Sequence, residues 1–142
     1  ESFQSGLNWI TILRKRENFR RAFDYFDFDK IVSYDDDRVE ALLQDEGIIR
    51  HRKKIEATIN NAKCLIQLRK THTSLYSFLW TFVGSVPLRN PSAEESGALA
   101  NKIYQGLKSH GFKFIGPTTI LAYIQAIGII NDHEPQCFKY SQ

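Results

Sequence analysis

The chain has 142 residues, 42% of them hydrophobic and 25% charged, which are the proportions of an ordinary globular domain built on one core. Its net charge of +3 permits an anionic partner without demanding one, and no apolar run approaches the length of a membrane span, about 20 residues. The two cysteines, Cys64 and Cys137, exclude a disulfide framework, and without a signal-peptide pattern the chain reads as cytoplasmic.

In chain order, Phe3, Leu7, Ile10, Leu13, Phe19 and Phe23 recur at helical spacing around a polar break at 14–18. This predicts two short helices over 1–24. The chain has no initial methionine and starts inside what reads as a helix, so it is expected to be the later part of a longer protein. Asp27–Asp29 and Tyr34–Asp37 carry turn and N-cap chemistry. Val39, Leu42 and Leu43 mark one face of a helix that stops at Gly47. A longer helix is predicted over 50–68, with Ile55, Ile59, Ala62, Leu65 and Ile66 inward. Leu75 to Phe82 reads as an aromatic helix buried around Trp80. Residues 84–97, with Pro87 and Pro91, read as a loop. Helices follow over 98–109, ended by Gly111, and over 118–127. No strand alternation or internal repeat stands out. The expectation is one all-α domain over 1–142, an orthogonal helical fold with short connections.

Three features carry chemistry. The first is the segment GFKFIGPTT between the last two helices. Gly116 offers a backbone conformation that a Cβ would obstruct. Pro117 opens a helix without losing a needed N–H. Thr118 and Thr119 add hydroxyls and first-turn amides, which can hold a phosphate. A helix-hairpin-helix over about 98–127 would use them so; a plain packing corner has the same pattern. The second is His133 and Cys137, at the i, i+4 spacing of two zinc ligands on one turn. The third is basic clustering: Arg14, Lys15, Arg16, Arg20, Arg21, Arg50, Arg52, Lys53 and Lys54 are nine of the 19 lysines and arginines. Such clusters are either solvated faces or a phosphate footprint. Cys64, inside a predicted helix, reads as a small buried hydrophobe.

The runs ESFQSGLNW (1–9), ITILRKRENFRRAF (10–23), GIIRHRKKIEATINNA (47–62), LWTFVG (79–84), GFKFIGPTT (111–119) and AIGIINDHEPQC (126–137) resemble one family in order and spacing. It is the 3-methyladenine DNA glycosylase I family, of the helix-hairpin-helix DNA glycosylase superfamily. The resemblance covers the chain apart from the 84–97 loop. It implies a base-excision repair enzyme that hydrolyses the N-glycosidic bond of 3-methyladenine in double-stranded DNA, acting as a monomer. Glu1 then matches the family's base-reading glutamate and is the catalytic candidate, and Trp9 matches the tryptophan that stacks on the base. Gly6 and Leu7 fall in a loop beside the gap left by the extruded nucleotide, and Gly116, Pro117, Thr118 and Thr119 in the DNA-binding hairpin. His133 and Cys137 match half of a four-ligand structural zinc site, whose other two ligands and a pocket aromatic are implied in a segment before Glu1. An incomplete pocket is therefore implied, and these 142 residues alone are expected to be inactive. Many superfamily members carry a catalytic Asp where this chain has Asn131, with Asp132 one step later as a candidate to orient the zinc histidine. Bifunctional members carry a hairpin lysine where Thr118 and Thr119 stand, so no lyase step is expected. The alternatives are a non-catalytic helix-hairpin-helix DNA-binding module and an all-helical protein-interaction domain.

Overall fold

The computed structural model describes residues 1–140. Eight α-helices, two single-turn 3-10 helices (Asp24–Phe26 and Thr81–Val83) and one minimal parallel strand pair make up the regular structure of the described residues. Two short helices open the fold, α1 (Trp9–Arg14) and α2 (Arg16–Ala22), split at Lys15 as the polar break predicts. A one-turn helix, α3 (Phe28–Ile31), and α4 (Asp36–Gln44) follow, each started by an aspartate whose side chain accepts a backbone N–H. The long helix α5 (Arg52–Leu68) is capped by the His51 imidazole, which accepts from the Lys54 N–H at 3.3 Å. Then come α6 (Leu75–Trp80), α7 (Ala93–Ser109) and α8 (Pro117–Ala126).

Two apolar clusters fill the interior. The first gathers Phe19, Phe23, Ile31 and Leu42 against Ile55 and Ile59 of α5. The second gathers Phe78, Leu79, Ile103, Leu107, Ile120 and Ile124 with Leu68 from the end of α5. Helix α5 therefore runs from one cluster to the other, and the segments on either side of it are mounted on the same rod.

Four expectations need correction. Residues 84–97 are not all loop: β1 (Leu88–Arg89) pairs in parallel with β2 (Ile130–Asn131). Ser92 and Glu95 close a reciprocal capping box, so α7 begins at Ala93 rather than at residue 98. Helix α1 has no buried residue, and Leu7, Trp9 and Ile10 are exposed. Trp80 is half-buried and packs against the edge of the second cluster, while its neighbours Phe78 and Leu79 are the buried residues.

Candidate active site

The first nine residues form a compact platform made largely of backbone hydrogen bonds. The Glu1 carbonyl accepts from the amides of Gln4 (3.1 Å) and Ser5 (3.2 Å), and the Gln4 carbonyl accepts from the Leu7 amide at 2.7 Å. Gly6 turns the chain at φ +78°, a value that glycine adopts at no steric cost. Asn8 then caps α1 by accepting from the Ile10 N–H at 2.9 Å. Beneath the platform the Phe3 ring packs on Phe19 at 4.4 Å and on Phe23 at 5.6 Å between centroids.

This arrangement brings Glu1 and Trp9 to one concavity of about 510 Å3, which Gln4, Arg16 and Phe26 also line. Glu1 borders two further cavities. One, of about 300 Å3, runs past Phe26 to Lys54 and Asn61 of α5. The other, of about 220 Å3, reaches Asn61, Thr119 and Tyr123. An acid, an exposed indole and the first turn of α8 therefore line neighbouring cavities that share Glu1 as a wall. Trp9 is 57% exposed, so its ring offers a face for stacking and contributes little to the core.

The turn joining α7 to α8 is held from α5. The Asn61 side chain donates to the Lys113 carbonyl at 2.9 Å and accepts from the Lys113 N–H at 2.8 Å. Asn60 donates to the Gly111 carbonyl at 2.9 Å. Gly116 takes extended angles, φ −153° and ψ 167°, and an added Cβ would meet nothing within 4 Å. The expected backbone need for glycine there is thus not met. Its consequence is different: as the N-cap of α8 it brings no side chain, so the first-turn amides of Thr118 and Thr119 keep no side-chain cap. Two residues in this turn are left-handed, Gly111 at φ +85° and Phe114 at φ +56°.

At the C-terminal end, His133 Nδ1 and Cys137 Sγ lie 3.6 Å apart in a turn rather than on a helix. Zinc–sulfur and zinc–nitrogen bonds of ~2.3 and ~2.05 Å at a tetrahedral angle place their donors about 3.5 Å apart. The pair therefore fits one edge of such a site, while no group of three or more metal-binding side chains occurs among the described residues. The Asp132 carboxylate accepts from Gln125 Nε2 at 2.6 Å through its Oδ2. The amide of His133 donates to Asn131 Oδ1 at 3.3 Å. Both cysteines are free and half-buried, and burial pushes the Cys64 thiol up, as for a small packing residue.

The basic clusters divide on inspection. Arg52 pairs with Glu40 and Glu56, Arg50 with Glu46, and Arg20 with Glu17. Lys54 is buried, 5% exposed, and donates to the Phe3 and Ser5 carbonyls, both at 2.7 Å. Sequence reasoning placed Lys54 on a basic surface and missed Asn61. A signal was present: Lys54, Thr58 and Asn61 follow an i, i+4, i+7 stripe beside the apolar one.

A model of the methyladenine glycosylase family matches residues 1–140. The chain belongs to that family. It is 39% identical over 145 residues to DNA-3-methyladenine glycosylase 1 of Escherichia coli strain K12, covering 99% of this chain and 78% of that one. It is 38% identical to DNA-3-methyladenine glycosylase of Haemophilus influenzae, covering 96% and 77%. A crystal structure of 3-methyladenine DNA glycosylase I superposes with a TM-score of 0.88 at 38% identity, covering 98% and 79%. A tyrosine-to-phenylalanine variant of 3-methyladenine DNA glycosylase I, in complex with 3-methyladenine, gives 0.89 at 31% identity, covering 96% and 76%. The helical glycosylase fold expected from the sequence is the one observed.

Proposed function

We propose that this chain is a base-excision DNA glycosylase that hydrolyses the N-glycosidic bond of 3-methyladenine in alkylated DNA. The observation that carries the reading is that Glu1 and Trp9 line one cavity in a member of the methyladenine glycosylase family.

The substrate base is a cation, so its bond to the sugar is already weakened. When water adds to the sugar carbon and the carbon–nitrogen bond breaks, the bonding pair stays on the base, which departs neutral. The water's second proton goes to solvent. Protonation of the leaving group is unnecessary, and the task of the pocket is to hold the positive charge and the ring. The Trp9 face attracts the cation, worth on the order of 1–2 kcal/mol when water is excluded. The Glu1 carboxylate accepts from the exocyclic amine and offsets the charge. Extrusion from the stack costs a few kcal/mol, which only a base fitting both groups recovers. Gly6 and Leu7 lie on the exposed rim of the platform, suited to the gap that the extruded nucleotide leaves. The uncapped amides of Thr118 and Thr119, which follow Gly116 and Pro117, suit one backbone phosphate, as in a helix-hairpin-helix.

Threonines stand at 118 and 119, where bifunctional superfamily members carry the Schiff-base lysine, so the reaction ends at an abasic site. His133 and Cys137 are the residues that would hold a structural zinc, supplying two of its four donors and pinning the segment after β2. Duplex DNA is the partner in this reading, one chain the acting unit and the cytoplasm the compartment. No helix among the described residues is long and apolar enough to cross a membrane.

The test is release of 3-methyladenine from alkylated duplex DNA. It is run on this chain and on the chain extended before Glu1 by the corresponding segment of the Escherichia coli relative. Free base should appear, with strands nicked only after alkali. If neither protein releases base while both bind DNA in a salt-sensitive way, the non-catalytic binding module takes its place.

A further inference from the structure

Lys54 stands in the first turn of α5, 5% exposed, and forms no ion pair among the described residues. Burial disfavours its charge, and so does the positive end of the helix dipole. An apolar side chain of the same length would serve packing alone at lower cost. What the ammonium does instead is specific. It donates to the carbonyls of Phe3 and Ser5, both at 2.7 Å, inside the nine-residue platform that carries Glu1 and Trp9. It also sits 5.5 Å from the centroid of the Phe114 ring. Phe114 is the residue of the α7–α8 turn held at φ +56°, a left-handed conformation that is costly for an aromatic residue and persists only where its surroundings impose it. The His51 and Phe114 rings also meet in a T-shaped contact, with centroids 5.7 Å apart. One side chain thus touches both the segment that presents the base-reading groups and the turn that presents the phosphate-binding amides.

We propose that Lys54 is a positioning residue that fixes the separation between the base-reading platform and the DNA-binding turn. This rests on the glycosylase reading given above. Phosphate capture then registers the strand so that the extruded base meets Glu1 and Trp9, and loss of the ammonium loosens both ends together.

The experiment measures three quantities in each variant of the chain: affinity for free 3-methyladenine, affinity for duplex DNA, and the thermal unfolding midpoint. Lys54→Met keeps the stem and removes the donors; it should weaken both affinities about tenfold or more. Lys54→Arg keeps two donors and the charge, and should recover most of each loss. Phe114→Leu keeps the bulk and removes the aromatic face; it should weaken DNA binding several-fold and leave base binding unchanged. A purely structural lysine would lower the unfolding midpoint without altering affinity per folded molecule. A folded Lys54→Met protein with unaltered affinities overturns the proposal. So does a Lys54→Arg protein as impaired as Lys54→Met. If Lys54→Met does not fold, Phe114→Leu decides, and unchanged DNA affinity in it overturns the coupling. If the unsubstituted chain binds neither base nor DNA, the glycosylase reading itself fails and the proposal falls with it.

Discussion

Trp9 and Glu1 do different work on the same base, and substitutions separate them. Because Trp9 is 57% exposed, Trp9→Ala removes a stacking face and little core. The expected outcome is a fall in kcat/KM for base release of about tenfold or more, with an unfolding midpoint within a few degrees of the parent. A collapse of the midpoint would instead make Trp9 a packing residue. Glu1→Gln keeps a hydrogen-bond acceptor and deletes the charge. The base is cationic in DNA and neutral once released, so the charge acts mainly before the bond breaks. The variant should lose more in kcat/KM than in affinity for the free base; equal losses would remove the electrostatic role. Away from the pocket, the Tyr34 hydroxyl donates to Asp24 Oδ2 at 2.5 Å and so holds the turn at Asp24, Tyr25 and Phe26, three successive residues with positive φ. Burial, and then the neighbouring Asp24 carboxylate, push the Tyr34 phenol up to about 12 from 10.0. The folded state therefore keeps a proton that the unfolded state has released. This stabilisation is complete below the unfolded value near 10 and is lost as pH rises towards 12. Denaturant unfolding of the parent should lose stability across that window more steeply than Tyr34→Phe does, and parallel curves would show that the phenol is not the group responsible.

At the level of elements, the α7–turn–α8 unit makes a prediction opposite to the one a glycine suggests. Gly116 is extended and its missing Cβ faces open space, so Gly116→Ala should leave the unfolding midpoint within about 2 °C. If the α8 amides hold a phosphate, the added methyl crowds that approach, and DNA affinity should fall several-fold by fluorescence anisotropy. Unchanged affinity would mean that the phosphate lies elsewhere. The same unit shows how much the sequence reveals. The inward stripe Ile55, Ile59 and Ala62 placed α5 within two residues, because long periodic segments report their own burial. The Ser92–Glu95 capping box was also legible, but the prolines around it directed attention to a loop. Helix α3 is a single turn, and the β1–β2 bridge joins residues 42 positions apart, as Leu88 and Ile130; neither has a local period to read. The meeting of Glu1 and Trp9 in one cavity was anticipated through family resemblance. The burial of Lys54 within a basic run was not, because it depends on where residues 1–9 fold.

For the whole molecule, the distribution of charge is more informative than the total. The net charge is only +3, and much of the basic sequence is already engaged within the fold. Arg52 and Arg50 pair with carboxylates, and Lys54 is buried against backbone carbonyls. Lys53 and Lys113 are exposed and form no ion pair among the described residues. They line one shallow concavity beside Phe114, at the mouth of the α7–α8 turn. If that turn meets the DNA backbone, these two ammonium groups reach phosphates while Arg52 does not. Each neutralised phosphate contributes about −0.9 to the slope of log K against log salt. The double variant Lys53→Ala, Lys113→Ala should therefore bind more weakly and flatten that slope by about two between ~50 and ~200 mM salt. Arg52→Ala should leave the slope as it is and barely move the unfolding midpoint, since its ion pairs are solvent-exposed. Titrating the three proteins with the same duplex by anisotropy at several salt concentrations reads both effects. If Arg52→Ala flattens the slope and the lysine pair does not, DNA crosses the face of α4 and α5 instead of the turn, and the path drawn here from Thr118 to Glu1 is wrong.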